Sequence, residues 1–279
     1  MRRLSLLALA PVLMAQLAQN PSPMVEHTRP HTRLPQQTPP GARHTLEIGT
    51  LYIPPKLNVK QPLTLLIFFH GGNWVPEVAA AKNRIAVISV QVGEGSGVYS
   101  RAFEDPQRFE NLLSETQTKA GRKIGKVILG GWSAGCGAVR QLLRTPAIYA
   151  RVSSVLCIDG MHADYVSGHP GPMESEIAEA NVDIWLPLAK DAIARKKRFV
   201  ITHTELFPGT YASTTETADY LLHQLELKVK PVLRTGPMGT QQLGETRAGY
   251  LLIAGYAGNS APDHVDQLHS LPEYLKWVK

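Results

Sequence analysis

Residues 126–135, KVILGGWSAG, decide the fold of this chain. A short apolar run ends in the pentapeptide Gly131-Trp132-Ser133-Ala134-Gly135, and a segment that favours a helix begins directly after it. Glycines flank the serine because a serine on a tight strand-to-helix turn has a strained backbone and little room beside it. The pattern predicts a turn that holds the Ser133 hydroxyl above the end of a buried strand.

Apolar runs of the same kind recur on both sides of this turn. Such continuous runs are typical of strands buried in a parallel sheet, and they lie at residues 63–69, 85–92, 152–158, 198–202 and 250–254. Segments that favour helices lie between them, at residues 105–121, 137–143, 184–195 and 215–225. We therefore predict an α/β fold, a doubly wound and mostly parallel sheet in a single domain. Residues 45–53 alternate apolar and polar side chains and predict an edge strand or a hairpin.

The two ends of the chain differ from this folded part. Residues 1–18 combine a basic start with a short apolar run, which predicts a signal peptide with an undefined cleavage site and no stable membrane span. Residues 19–43 are rich in proline and lack an apolar period, so we expect a flexible linker or a loosely attached arm. The folded domain is expected at residues 44–279, in a secreted or periplasmic protein.

Composition narrows the classes of partner. The chain has 279 residues and a formal net charge of +6, but its basic residues are dispersed rather than gathered in a stripe with aromatics, so we expect no nucleic acid partner. The two cysteines, Cys136 and Cys157, lie in apolar segments and fit two buried thiols as well as one disulfide. No pair of cysteines or histidines has a zinc-like spacing, so we expect no metal. The sequence leaves the oligomeric state open.

A second glycine-rich turn follows the apolar run at residues 63–69. Acyl transfer places negative charge on a carbonyl oxygen, and backbone N–H groups in a turn with few side chains can approach that oxygen closely. Gly71, Gly72 and Asn73 are candidates for one such donor, and Ala134 is the candidate for another. The alternative is an ordinary Gly-Gly turn beside a hydrogen-bonded His70.

A base and an acid are also available to Ser133. His264 follows the last apolar run and a glycine-rich loop, and we prefer it to His269, which lies more than a helical turn further on. A carboxylate must accept a hydrogen bond from the imidazole. We prefer Asp159, at the end of the run 152–158, with Glu205 as the alternative acid.

These motifs in this order resemble the α/β-hydrolase superfamily over residues 44–279, and among its members the secreted feruloyl esterases, acetylxylan esterases and polyester depolymerases. The resemblance implies a carboxylesterase with a Ser-His-Asp/Glu triad, an acyl-enzyme intermediate, no cofactor and a small or polymer-linked ester as substrate. Trp74 and Trp132 are candidates for the substrate wall, unless they are core aromatics. A serine peptidase, an acyltransferase and a non-catalytic binding protein remain alternatives.

Overall fold

The computed structural model describes residues 30–55, 57–58, 60–166 and 176–279. Its centre is one sheet of ten strands, in the order β1-β2-β4-β3-β5-β6-β7-β10-β9-β8. The strands are β1 Ala42–Thr45, β2 Thr50–Ile53, β3 Leu63–Phe69, β4 Ala86–Val90, β5 Ile124–Trp132, β6 Val152–Ile158, β7 Arg198–His203, β8 Lys230–Thr235, β9 Gln241–Ala248 and β10 Leu251–Tyr256.

The middle of the sheet, from β4 across to β10, is parallel throughout. An antiparallel pair of strands extends it at each edge. The buried runs occupy the parallel middle because both of its faces are covered, whereas edge strands tolerate polar side chains. The predicted mostly parallel sheet is confirmed.

Helices cover both faces of the sheet. They are α1 Trp74–Asn83, α2 Ser96–Ala102, α3 Pro106–Ala120, α4 Cys136–Leu143, α5 Pro146–Arg151, α6 Trp185–Ile193, α7 Thr214–Gln224, α8 Ala261–His269 and α9 Leu271–Val278. Alternate side chains of β3 enter two separate cores: Leu65 and Ile67 face the core shared with α2 to α7, and Leu66 faces the core shared with α1, α8 and α9. The doubly wound arrangement is therefore confirmed.

The strand order reverses beside β3. The chain passes from β3 to β4 on one side and then crosses to β5 on the other side of β3. In open α/β sheets, ligands bind outside the carboxyl ends of the strands at such a reversal. Phe69 and Gly131 pair at the ends of β3 and β5, so the turns after these two strands flank the expected crevice.

Several elements differ from the sequence prediction. Residues 42–53 form the hairpin of β1 and β2. Strands β8 and β9 were not predicted, because β8 is an exposed edge strand that contains Pro231 and lacks the apolar runs of the sheet interior. Helices α1, α2 and α5 were also not predicted. Helix α7 begins with a capping box between Ser213 and Glu216.

Residues 19–43 were predicted to form a flexible linker or a loosely attached arm, and most of the described residues among them form an arm. Residues 1–29, with the predicted signal peptide, lie outside the described residues. From residue 30 the chain is an arm that contacts α8: Arg33 Nε donates to Asp266 at 3.0 Å, and the Leu34 amide donates to His269 Nδ1 at 3.1 Å. The arm lacks a periodic apolar face, and these hydrogen bonds attach it to α8. In the described part of the chain, no helix is long and apolar enough to cross a membrane.

A long connection joins β6 to β7. Its residues 167–175 lie outside the described residues. The described part is tied down by isolated bridges from Ala163 to Ala212 and from Tyr165 to Ile177. Trp185 is fully buried and stacks on Phe199 with ring centroids 5.8 Å apart, so this tryptophan belongs to the core.

Candidate active site

Ser133 occupies a strained turn between β5 and α4. Its φ is 50°, in the left-handed region that a residue with a Cβ seldom adopts. Close backbone packing holds the turn: a Cβ at Gly135 would lie 2.0 Å from the Phe69 carbonyl oxygen, and one at Gly160 would lie 2.3 Å from the Ser133 carbonyl oxygen. The glycines therefore let the ends of β3 and β6 press against the serine turn.

Asp159, directly after β6, is buried and also has a positive φ, of 43°. Its Oδ2 lies 2.8 Å from His264 Nδ1. Thr204 donates to the same carboxylate twice, from its amide to Oδ1 at 2.9 Å and from its hydroxyl to Oδ2 at 2.6 Å. Burial raises the pKa of Asp159, but the hydrogen bonds from His264 and Thr204 outweigh burial and lower this pKa below its ordinary value. Asp159 is therefore an ionised acceptor for the imidazole.

His264 lies in the first turn of α8, close to the serine turn. The Ser260 hydroxyl accepts from the Asp263 amide and caps the helix. The indole Nε1 of Trp132, the residue before Ser133, donates to the His264 carbonyl oxygen at 3.0 Å. The Trp132 and His264 rings are also in contact, with centroids 4.6 Å apart. Trp132 thus joins the helix of His264 to the turn of Ser133.

The two alternatives to this pair lie elsewhere. Glu205 is exposed, and its amide donates to the Gly258 carbonyl oxygen at 2.8 Å. His269 is buried against the arm, where its Nδ1 accepts from Leu34, and its ring meets Trp74 edge to face with centroids 5.4 Å apart. The structure thus brings His264 together with Asp159 and gives His269 a structural environment.

The glycine-rich turn after β3 reaches the same place. A Cβ on Gly71, where φ is 97°, would lie 3.5 Å from the Trp132 ring. Gly72 and Asn73 are exposed and lead into α1. His70 stacks on Trp132 with centroids 5.1 Å apart, and its Nδ1 lies 3.0 Å from the Tyr99 hydroxyl. Burial and nearby His264 lower the pKa of His70, so this ring is neutral at neutral pH.

A cavity of about 590 Å³ opens beside Ser133 and Ala134. Its lining is mainly polar and comes from the segments that follow β3, β4, β5, β6 and β7, including the start of α2 and part of α4. The described lining residues are His70, Glu94, Gly95, Ser96, Gly97, Ser133, Ala134, Arg140, His162, Ala163, Asp164 and Tyr211. Sequence reasoning did not single out Arg140, His162 or Tyr211, because no motif marks them.

Neither Trp74 nor Trp132 lines this cavity in the described part of the chain. Trp74 packs against His269, and Trp132 lies between His70 and His264. Their predicted substrate contacts therefore receive no support from their positions. Trp132 instead supports the two histidine rings.

Both cysteines are buried free thiols, so of the two alternatives, two thiols or one disulfide, the structure has two thiols. Cys136 Sγ donates to the Gly131 carbonyl oxygen at 3.3 Å, inside the serine turn. Burial raises the pKa of Cys157 well above its ordinary value. Each sulfur therefore acts as a small apolar group of the core.

No family model and no curated protein matches the chain. Among solved structures, the feruloyl esterase module of Clostridium thermocellum is similar at 11% identity over 87% of this chain and 89% of that one, with a TM-score of 0.46. Carboxylesterase CesB of Bacillus subtilis is similar at 8% identity over 87% and 92%, with a TM-score of 0.42.

A lidless α/β serine hydrolase of Xanthomonas campestris is similar at 14% identity over 88% of this chain and 98% of that one, with a TM-score of 0.42. At these identities and scores, the likenesses carry no argument about activity. The sheet order, the strained serine turn after β5 and the late histidine helix are nevertheless this chain's own features. They place Ser133, Asp159 and His264 at the carboxyl ends of the strands of a doubly wound α/β sheet.

Proposed function

We propose that this protein is a serine hydrolase that cleaves carboxylic esters. The observation that carries the proposal is the hydrogen bond of 2.8 Å between His264 Nδ1 and the buried carboxylate of Asp159, beside the strained turn of Ser133. A buried acid fixes the imidazole so that Nε2 is the nitrogen left to accept a proton.

In the proposed reaction, the Ser133 hydroxyl attacks the ester carbonyl carbon while His264 Nε2 takes its proton. The carbonyl π electrons move to the oxygen, which receives hydrogen bonds from the Ala134 amide and an amide of the turn at Gly71. Collapse of this intermediate breaks the ester bond, and His264 returns the proton to the alcohol that leaves. Water then repeats the sequence on the acyl-enzyme and releases the acid.

The carboxylate of Asp159 stabilises the positive charge that His264 gains in each step, and the hydrogen bonds from Thr204 keep this carboxylate ionised. The cavity beside Ser133 has room for a small acyl or alcohol group. The crevice lies at the reversal of strand order, which is the usual ligand position in this architecture.

Hydrolysis of a short 4-nitrophenyl ester by the purified protein tests the proposal, with Ser133→Ala as the decisive variant. We expect turnover in the wild type and a loss of at least about 10³-fold in Ser133→Ala. Ser114→Ala, at an exposed position on α3, is the matched control and should retain wild-type turnover. Equal activity in wild type and Ser133→Ala would reject the assignment, and faster cleavage of peptides than of esters would favour a peptidase.

A further inference from the structure

Arg140 brings a guanidinium into the cavity that Ser133 lines. It lies on α4, seven residues after Ser133, which corresponds to about 10 Å along the helix axis at the rise of an α-helix. Side chains on a helix lean toward its N-terminus, which here is the serine turn. Arg140 is partly buried and lies in the wall of the cavity, whereas Glu94 and Asp164 in the same lining are exposed.

The hydrogen bonds of this guanidinium within the protein are few and long. Nη1 donates to the carbonyl oxygens of His162 and Asn181, each at 3.4 Å. Among the described residues, no carboxylate lies within 4.0 Å of Arg140. By contrast, Arg43, an exposed residue of β1, donates to both carboxylate oxygens of Glu77. Because a guanidinium on a cavity wall forms strong hydrogen bonds with a charged partner, Arg140 can bind an anion that enters the cavity.

His162 supplies a second polar group at the same wall. Its Nδ1 is buried without a hydrogen-bond partner, and its ring meets the Tyr211 ring edge to face at 5.0 Å. Burial is the main cause that lowers the pKa of His162 to about 4, so the ring is neutral near pH 7. A neutral imidazole adds no charge to the cavity lining. Among the described residues of this lining, Arg140 therefore supplies the only full positive charge at neutral pH.

We propose that Arg140 is a subsite for a carboxylate of the substrate, so that the preferred esters carry a free carboxylate a few bonds from the ester carbonyl. This inference rests on the proposed ester hydrolysis and names its substrate class. The planar guanidinium matches a carboxylate in two parallel hydrogen bonds. The exposed carboxylates of Glu94 and Asp164 also line the cavity, so a bound carboxylate must face Arg140 rather than these two side chains.

The test compares 4-nitrophenyl monoesters of succinic, glutaric and adipic acid with the same compounds capped as methyl esters at the free carboxylate. The measured quantity is the ratio of kcat/KM for each pair, which does not depend on the fraction of protein that is folded. For at least one chain length we expect the wild type to prefer the free carboxylate about 10- to 100-fold, the range for hydrogen bonds to charged groups.

Three variants separate the subsite from general effects of charge. Arg140→Gln should bring the ratio close to one. Asp164→Asn should raise the ratio, because it removes a negative charge that competes for Arg140. Arg144→Gln is the matched control: it removes the same charge from the exposed residue that directly follows α4, outside the cavity lining, and should leave the ratio within about twofold. The subsite is refuted if no pair shows a preference, or if Arg140→Gln keeps the wild-type ratio.

Calorimetric binding of glutarate to Ser133→Ala separates this inference from the proposed reaction. Binding that is lost in the double variant with Arg140→Gln supports the subsite even where no ester is cleaved, and in that case only the proposed reaction fails. Cleavage of the capped esters without any carboxylate preference refutes the subsite alone. Absence of both cleavage and glutarate binding refutes both.

Discussion

Asp159→Asn should lower turnover of an aryl ester about 10⁴-fold without unfolding the protein. The Asp159 Oδ1 accepts from the Thr204 amide at 2.9 Å, so in the variant this position must keep the amide oxygen. The new NH₂ group then replaces Oδ2, which lies 2.6 Å from the Thr204 hydroxyl and 2.8 Å from His264 Nδ1. Since NH₂ is a donor, Nδ1 must become the acceptor, and the proton moves to Nε2.

A His264 ring protonated at Nε2 cannot take a proton from Ser133. Loss of the correct tautomer costs about 10⁴-fold in kcat, or about 5.4 kcal/mol of barrier. The assay is kcat for a short 4-nitrophenyl ester, with thermal unfolding measured in parallel. Glu205→Gln is the matched control because Glu205 is exposed and bonded to Gly258. The reasoning fails if Asp159→Asn stays within tenfold of the wild type, or if only Glu205→Gln loses orders of magnitude.

Three further predictions concern stability and the thiols. Between pH 6.5 and about 4, His162 binds a proton in the unfolded chain but not in the folded chain, so lowering the pH from 7 to 5 should reduce the free energy of unfolding by about 2 kcal/mol through this group. Urea titrations of His162→Gln should therefore show a loss of stability over this pH range that is about 2 kcal/mol smaller than in the wild type. An equal loss in both proteins would contradict the buried neutral ring. Arg33→Ala should cost about 1 kcal/mol, a fall in Tm of about 2–4 °C, because Arg33 binds the buried Asp266; an unchanged Tm would mean that the arm adds no stability. Cys136 and Cys157 should react with a thiol reagent only after unfolding, and a chain that shows no thiol even then would instead contain a disulfide.

The interior of the sheet could be predicted closely from the sequence. Strands β3 and β6 begin and end at the predicted residues, because burial on both faces demands an unbroken apolar run between polar ends. The turn at Ser133 was also predictable, since the backbone there requires glycine at particular positions. Both features depend on a few neighbouring residues, so they can be predicted from a short stretch of sequence.

The rest depends on contacts between distant segments. Strands β8 and β9 carry the polar side chains of an exposed edge, so they read like loops. The arm is held by side chains such as Arg33, whose partner Asp266 lies more than two hundred residues away. Arg140 and His162 become candidates only when α4 and the loop after β6 meet at one cavity. The choice between Asp159 and Glu205 likewise required the position of the histidine helix.

The central claim is that His264 activates Ser133, and covalent labelling with a fluorophosphonate tests it most directly. The account predicts one label per wild-type chain, mapped to Ser133 by peptide mass spectrometry, with no label in Ser133→Ala and labelling slowed at least about 10³-fold in His264→Ala but close to the wild-type rate in His269→Ala. Labelling that persists in Ser133→Ala, or that proceeds at the wild-type rate in His264→Ala, would contradict it.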